Sequence, residues 1–439
     1  MWVHYRHVGH FIACYQRDPA VASAYLTLLN GLMKTQPEAV IELLQQQDKD
    51  GWHVGHFIAC HQTDPAVTIA YLTLLNSLIK TESEVVVTLL HQHNKDDSHV
   101  GHFIAYFQTG PAVAVAYLTL LNSLMKTEPE AVLTLLQKYN KYNWSVGHLI
   151  AYLQTDPAAA TAYLAFLTRL METQQEGAIA LLQLQDKNGR HVGHYIAHFQ
   201  IDSAVTKTYL ALLTHLMTTQ PKAVVALLQQ LDRNGWNVGH FIAYYQQKAL
   251  EDYLKLLSNL MPQALEIIFS LLTQKLVRSD DPEVELRIDS TGIDIGGLIE
   301  KEASLKIYHA LYLNAFITLL DNTHPVCIEH YLPHVTKVTD LLLALPAEDP
   351  KTLPLLKRCT NKDSALGKYF HTSTNNKIKL IDREVDIEFH QLVQTPVSIN
   401  ANAISSVSST SHLTTANSHT SASFDKSECE MNAFEKDFP

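Results

Sequence analysis

The chain has 439 residues, 46% of them hydrophobic, and a formal charge of −11 at pH 7. That is enough apolar material for a sizeable core in two or three domains, and the acidic balance argues against nucleic acid as a partner. No run of about 18 apolar residues occurs and Met1 to Arg6 lacks the features of a secretory leader, so neither a membrane span nor Sec-dependent export is expected.

Along the chain, Val-Gly-His returns six times at a spacing of 46 residues: Gly9-His10, Gly55-His56, Gly101-His102, Gly147-His148, Gly193-His194 and Gly239-His240. A unit this short cannot bury its own apolar face and must be covered by its neighbours, which is the logic of a solenoid. In the second copy, Asp48-Lys49-Asp50-Gly51 opens the unit. Its first position is always Asp or Asn, and its fourth is Gly51, Asp97, Asn143, Gly189 or Gly235, the residue types that enter the left-handed region at least cost. A tight turn is predicted there.

A short helix follows over His53 to His61, with Gly55 placed for close approach of a neighbouring helix. Asp64-Pro65, like Asp18-Pro19 and Asp156-Pro157, then supplies an N-cap and a first-turn proline for a second helix. Ala70, Leu74, Leu75, Leu78 and Ile79 give that helix one buried stripe. Thr81 with Glu84 reads as a capping box for a third helix, repeated as Thr35/Glu38, Thr127/Glu130 and Thr173/Glu176. The expected architecture is an all-α solenoid of about six three-helix repeats across residues 1–276. The sixth copy shortens by two residues, to Tyr253, and reads as the C-terminal cap.

Asp48-x-x-Gly51-x-x-x-x-His56-x-x-Ala59 resembles the opening of an ankyrin repeat, D-x-x-G-x-T-P-L-H-x-A-A. His10, His56, His102, His148, His194 and His240 align with the ankyrin histidine. The resemblance implies that this histidine hydrogen-bonds the turn, and that ankyrin-like arrays bind protein partners through their turn tips. The departures are Gly55 in place of the ankyrin Leu, His, Ser or Asn in place of Thr, and a unit longer than the ankyrin repeat of about 33 residues. Such a length also suits HEAT and armadillo repeats.

Three sets of candidate residues emerge. Four copies read His-Val-Gly-His, which puts two imidazoles on one helical face in metal-ligand spacing. Ser145 and Asn237 break that pattern, so turn hydrogen bonding explains six copies where zinc explains four, and no metal is expected. The second set is the turn tips. Lys49, Lys95, Lys141, Lys187 and Arg233 hold one position, and Trp52, Ser98, Trp144, Arg190 and Trp236 another; this cationic and aromatic edge is the predicted partner-binding surface. The alternative is a tryptophan packed on the next turn and a lysine in solvent. The third set comprises Cys14, Cys60, Cys327, Cys359 and Cys429, an odd, scattered group that predicts free thiols in a reducing compartment. No Walker loop, GxSxG or HExxH is present, and no catalytic or cofactor-binding residue is assigned.

Beyond Leu276 the rhythm stops. Glu283 to Asp289 reads as a short strand or linker, and helical spacing resumes over Leu298 to Leu320, Ile328 to Leu345 and Thr352 to Cys359, giving an α-rich domain over 277–395. From Ala401 to Ser423, 12 of 23 residues are Ser or Thr, which predicts disorder for 396–439. The acidic end, Ser427 to Pro439, resembles the C-terminal translocation signals of Dot/Icm-type (type IVB) effectors of intracellular bacteria, a family that often carries ankyrin-like repeats. The resemblance implies a virulence-associated scaffold that leaves the producing cell's cytoplasm for a host's and binds a host protein. Two other readings are an enzyme with its active site in 277–395 and a cytosolic adaptor with an inert tail.

Overall fold

The computed structural model describes residues 7–108, 110–154, 156–276, 292–322 and 332–344, together with Glu285, Lys357, Cys359 and Asn361. Among these the protein is all-α, with nineteen helices and no strand. The predicted segments Glu283 to Asp289 (Glu285 apart), most of Thr352 to Cys359, and the tail 396–439 lie outside the described residues.

Each unit opens with a helix of eight residues: α1 Val8–Tyr15, α4 Val54–His61, α6 Val100–Phe107, α9 Val146–Leu153, α12 Val192–Phe199 and α15 Val238–Tyr245. The second helices are α2 Pro19–Leu32, the first part of α5 Pro65–His91, α7 Pro111–Leu124, α10 Pro157–Thr173, α13 Ser203–Met217 and the first part of α16 Leu250–Thr273. The third are α3 Pro37–Gln45, α8 Pro129–Gln137, α11 Gln175–Gln183, α14 Pro221–Gln229 and the second parts of α5 and α16. Helix α5 breaks at Glu82 (φ −142°) and α16 at Ala264 (φ −147°), so both are two helices across a kink. First helices pack on first helices of the next unit, from α1 on α4 to α12 on α15, and second on second from α2 on α5 to α13 on α16.

Start signals for the second helices act as expected. Asp18, Asp64 and Asp156 accept from the N–H two residues on at 3.0, 2.8 and 2.8 Å, as does Asp202 at 2.9 Å. The capping boxes do not form. The threonines lie at or just beyond the end of the preceding helix, where Thr35, Thr81, Thr127 and Thr173 donate back to the carbonyls of Leu32, Leu78, Leu124 and Arg169. The third helices begin later, after Gln36, Glu128, Gln174 or Gln220, with no side-chain cap.

The predicted helix at Leu298 divides in two: α17 Ile295–Leu298, then α18 Glu302–Asn322 after an interruption at residues 299–301; α19 Leu332–Ala344 follows. The run Asp294-Ile295-Gly296-Gly297-Leu298 repeats the pattern Asn237-Val238-Gly239-His240-Phe241. Asp294 caps α17 by accepting from Gly297 N–H at 3.0 Å, and a Cβ on Gly296 would strike Tyr308 as one on Gly239 would strike Tyr253. A degenerate seventh unit therefore closes the sixth. Leu276 and Ile293 pair through two backbone hydrogen bonds of 2.8 and 3.0 Å, and the Tyr308 hydroxyl donates to Leu272 O. The chain divides into two compact units, Met1–Tyr312 and Leu313–Pro439.

Helix α16 is long and apolar enough to cross a membrane by length and composition alone. Its apolar side chains, among them Tyr253, Leu257, Leu260, Phe269 and Leu272, are buried within the first unit. Cys14 and Cys359 form no disulfide, as expected; Cys60 is disulfide-bonded, against expectation.

Candidate functional site

The opening turn is built by its first residue. Asp48 Oδ1 accepts from the N–H groups of Asp50 (2.9 Å) and Trp52 (3.0 Å), while its own N–H donates to Trp52 O at 2.8 Å. Asn94, Asn140, Asp186 and Asp232 repeat the arrangement, which needs a short side chain ending in an acceptor oxygen and so admits Asp and Asn. The fourth residue has positive φ throughout: Gly51 80°, Asp97 55°, Asn143 64°, Gly189 77° and Gly235 84°. The turns also join one another. The second-position N–H of Lys95, Lys141 and Arg233 donates to the third-position carbonyl of the preceding turn, at Asp50, Asp96 and Asn188.

The His-Val-Gly-His pair divides its work between two backbone groups. The first histidine is the N-cap: Nδ1 of His7, His53, His99 and His191 accepts from the glycine N–H two residues on, at 3.0–3.1 Å. Ser145 and Asn237 cap the other two helices from the same place, accepting from His148 and His240 N–H. The second histidine reaches back: Nδ1 of His56, His102, His148, His194 and His240 accepts from the N–H of the cap residue at 3.2–3.3 Å. With both Nδ1 atoms accepting, the proton of each neutral ring sits on Nε2. From there His10, His148 and His240 donate to carbonyls at the end of the same unit, Gln46, Leu184 and Gln274, at 3.1 Å.

Burial pushes these imidazoles down, His53 and His191 to about 3 and His102, His148 and His240 to about 4; His56, His99 and His194 also lie well below the ordinary range. Neighbouring imidazoles add to the fall at His53, His56, His99, His191 and His194, and facing carbonyls oppose it at most of these rings. Gly55, Gly101, Gly147, Gly193 and Gly239 serve close approach, as expected. A Cβ on any of them would lie 2.3–2.4 Å from the hydroxyl of a tyrosine from its unit's second helix, Tyr71, Tyr117, Tyr163, Tyr209 or Tyr253.

The turn-tip surface is where expectation and structure part. Trp144 is 2% and Trp236 3% exposed, and Trp52 is half-buried. Trp52 packs on Phe103 of the next unit at 4.7 Å and Trp144 on Tyr195 at 5.0 Å, while Trp236 lies on Phe241 of its own helix at 4.7 Å. The tryptophans are mortar within the stack, because a large ring at the end of a loop tied to its neighbours buries more area inward than outward. Arg190 is likewise engaged: its Nε donates to buried Asp232 at 2.9 Å and its guanidinium lies over Phe241. The cations Lys49, Lys95, Lys141, Lys187 and Arg233 do project into solvent. Lys95 and Lys141 pair with Asp50 (3.7 Å) and Asp96 (2.9 Å) of the preceding turns, a weak bond at an exposed site.

A glutamine ladder also joins the units. Gln62, Gln108, Gln154 and Gln200 are buried, and each Nε2 donates to two carbonyls of the preceding unit's first helix, as Gln62 does to Ala13 (2.8 Å) and Gln16 (3.0 Å). Gln246 continues the ladder to Gln200 O. The signal was available, since Gln16, Gln62, Gln108, Gln154, Gln200 and Gln246 recur in all six copies. What the ladders leave on the surface is a row at the ends of the first helices. Cys60/His61, Tyr106/Phe107, Tyr152/Leu153, His198/Phe199 and Tyr244/Tyr245 are all half-buried, and ring contacts join them, such as Tyr152 to Phe199 at 4.6 Å and His198 to Tyr245 at 4.4 Å. No known family model matches the chain, and no curated protein is similar to it in sequence.

Proposed function

We propose that this chain is a protein-binding scaffold whose partner lies along the half-buried row of Tyr106, Tyr152, His198 and Tyr244. The observation that carries the reading is a contrast between positions. The Gly, His, Gln and Asp/Asn positions barely vary among copies and are committed to holding the stack. The position of Cys14, Cys60, Tyr106, Tyr152, His198 and Tyr244 varies and stays partly exposed. Partly exposed tyrosines with solvent-facing lysines nearby in sequence are what protein interfaces are made of. In this reading the partner is a host protein and the chain a translocated type IVB effector, on the strength of the acidic tail. The repeats remain ankyrin-like in their turn and histidine.

Two experiments test it. Full-length protein with Tyr106, Tyr152 and Tyr244 all changed to Ala is compared with the native chain in pull-downs from animal-cell lysate, with melting curves recorded in parallel. A host protein held by the native chain and lost by a variant that melts normally supports the scaffold; equal capture by both rules out this surface. Residues 395–439 fused to a translocation reporter test the effector reading, and failure to transfer refutes it.

A further inference from the structure

The rings at the ends of the first helices join into one strip across units four to six. Tyr152 meets Phe199 at 4.6 Å, Phe199 meets His198 at 3.9 Å, His198 meets Tyr245 at 4.4 Å and Tyr245 meets Tyr244 at 4.6 Å. All five side chains are half-buried, so each leaves part of its ring to solvent. Two residues beyond Phe199 stands Ile201, at 86% the most exposed large apolar side chain among the described residues, where Thr63 and Gln247 hold the equivalent place. The turns of these units add positive charge to the same face. Trp144 touches Tyr152 at 5.3 Å and Trp236 lies 6.3 Å from both Tyr244 and Tyr245, so turn and strip adjoin. Lys187 and Arg233 are exposed, whereas the turn acids Asp186 and Asp232 are buried and the third turn position holds Tyr142, Asn188 and Asn234 in place of Asp50 and Asp96. Asp156 and Asp202, which follow the strip in sequence, each spend a carboxylate oxygen on capping their own helix.

We propose, resting on the reading of this row as the partner's site, that its occupant is an extended proline-rich segment carrying acidic residues. Period is the first argument. The first helices pack one on the next, and packed helices lie about 8–10 Å apart. A polyproline II helix repeats every three residues, about 9.3 Å, so each of its turns shows the same face to each unit. A β-strand repeats every two residues, about 6.7 Å, and drifts out of step; no strand edge exists among the described residues to pair with one. Surface chemistry is the second argument. Aromatic rings in a row are what prolines pack on, and tyrosine hydroxyls donate to polyproline carbonyls, which have no internal hydrogen bonds. An α-helical ligand keeps its carbonyls for its own backbone and leaves those hydroxyls idle. Charge is the third, since Lys187 and Arg233 beside the strip are complementary to carboxylates in the ligand.

The test is fluorescence anisotropy of the full-length protein with a labelled peptide of about 12 residues of repeated Pro-Pro-Glu, long enough for about four polyproline turns. The same length of Gly-Ser-Glu keeps the charge without the conformation, and Pro-Pro-Lys keeps the conformation with the charge reversed. Saturable binding of the Pro-Pro-Glu peptide is expected, at least about tenfold tighter than either control. Ile201→Ser, at an exposed residue whose loss leaves the fold intact, should weaken it about fivefold. Tyr152→Phe/Tyr244→Phe keeps the rings, removes the two donors and should weaken it to a similar extent. No saturable binding, equal binding of Gly-Ser-Glu, or an affinity unchanged in both variants overturns the proposal. The pull-down described above separates this failure from that of the scaffold reading. A host protein lost by the tyrosine-to-alanine variant but not displaced by excess Pro-Pro-Glu peptide means that the surface is right and this occupant wrong.

Discussion

Acid should dismantle the array, and the two copies that lack the first histidine provide the control. A histidine whose folded pKa is depressed holds no proton in the folded state, while the unfolded chain takes one up below its ordinary value of about 6.5. Stability is therefore complete above that value and falls as pH drops, by about 1.4 kcal/mol per pH unit per histidine until the folded pKa is reached. Between pH 7.5 and 5.0 that amounts to about 2 kcal/mol for each fully buried ring. His53, His56, His99, His102, His148, His191, His194 and His240 all lie in this class, with burial as the first cause. Three or four of them would match the whole stability of an ordinary domain, about 5–15 kcal/mol. Protonation would also put a hydrogen on Nδ1, opposite the N–H it now accepts, and two imidazolium rings whose centroids lie 4.0 Å apart, as in His53 and His56, would repel.

The perturbation is His53→Asn with His99→Asn and His191→Asn, the residue that Asn237 already shows to be a working cap. Chemical unfolding at fixed ionic strength is followed by circular dichroism at pH 7.5 and 5.0. The native protein should lose most of its stability at pH 5.0. The triple variant, with three fewer titrating rings, should recover roughly 6 kcal/mol of that loss, and its stability should vary with pH by about three fewer protons. If native and variant lose the same amount, the buried N-cap histidines are not what couples folding to protons, and the reasoning fails.

Three further outcomes follow from packing and hydrogen bonding, each read from denaturant midpoints at pH 7.5. Gly55→Ala forces a methyl to within 2.4 Å of the Tyr71 hydroxyl in a filled site and should cost about 1–3 kcal/mol, whereas Gly31→Ala, with nothing within 4 Å, should not destabilise. Gln108→Leu removes both donors to the carbonyls of Ala59 and Gln62 and should cost about 1–3 kcal/mol; a neutral result would mean that solvent satisfies those carbonyls. Trp144→Ala empties a buried site and should cost about 3–5 kcal/mol, so a loss of partner binding in that variant would report unfolding.

Much of the scaffold was legible because its signals are local. The positive-φ position showed itself by admitting only Gly, Asp and Asn, and Asp-Pro marked the second helices. The turn histidine was readable because Ser145 and Asn237 broke the metal pattern. The tryptophans were misjudged because exposure is not local: a loop residue looks accessible until the neighbouring unit is placed against it, and Trp52 and Trp144 meet theirs. The capping boxes failed for a related reason. A Thr with Glu three residues on is a helix start only if the backbone breaks before the Thr, and here it breaks one residue after, at Glu82.

The end of the array shows how far period alone can mislead. A strict spacing of 46 places no seventh copy, since Gly296 follows Gly239 by 57 residues, and Gly297 stands where the histidine belongs. The unit is recognisable only by what each residue touches. Asp294 replaces Asn as cap, Gly296 admits Tyr308 as Gly239 admits Tyr253, and Gly292 at φ 77° keeps the turn's left-handed residue. Each of those roles is set by one contact with an adjacent element, so it survives insertion. The histidine is different, because its bond from Nε2 needs a carbonyl at the end of a third helix 34 or 36 residues later. At Gly297 the obstacle is nearer, since an added Cβ would lie 2.5 Å from Ile293 Cγ1. Restoring it, as Gly297→His, should therefore destabilise the protein, and a more stable variant would show that the contact with Ile293 does not exclude a side chain there.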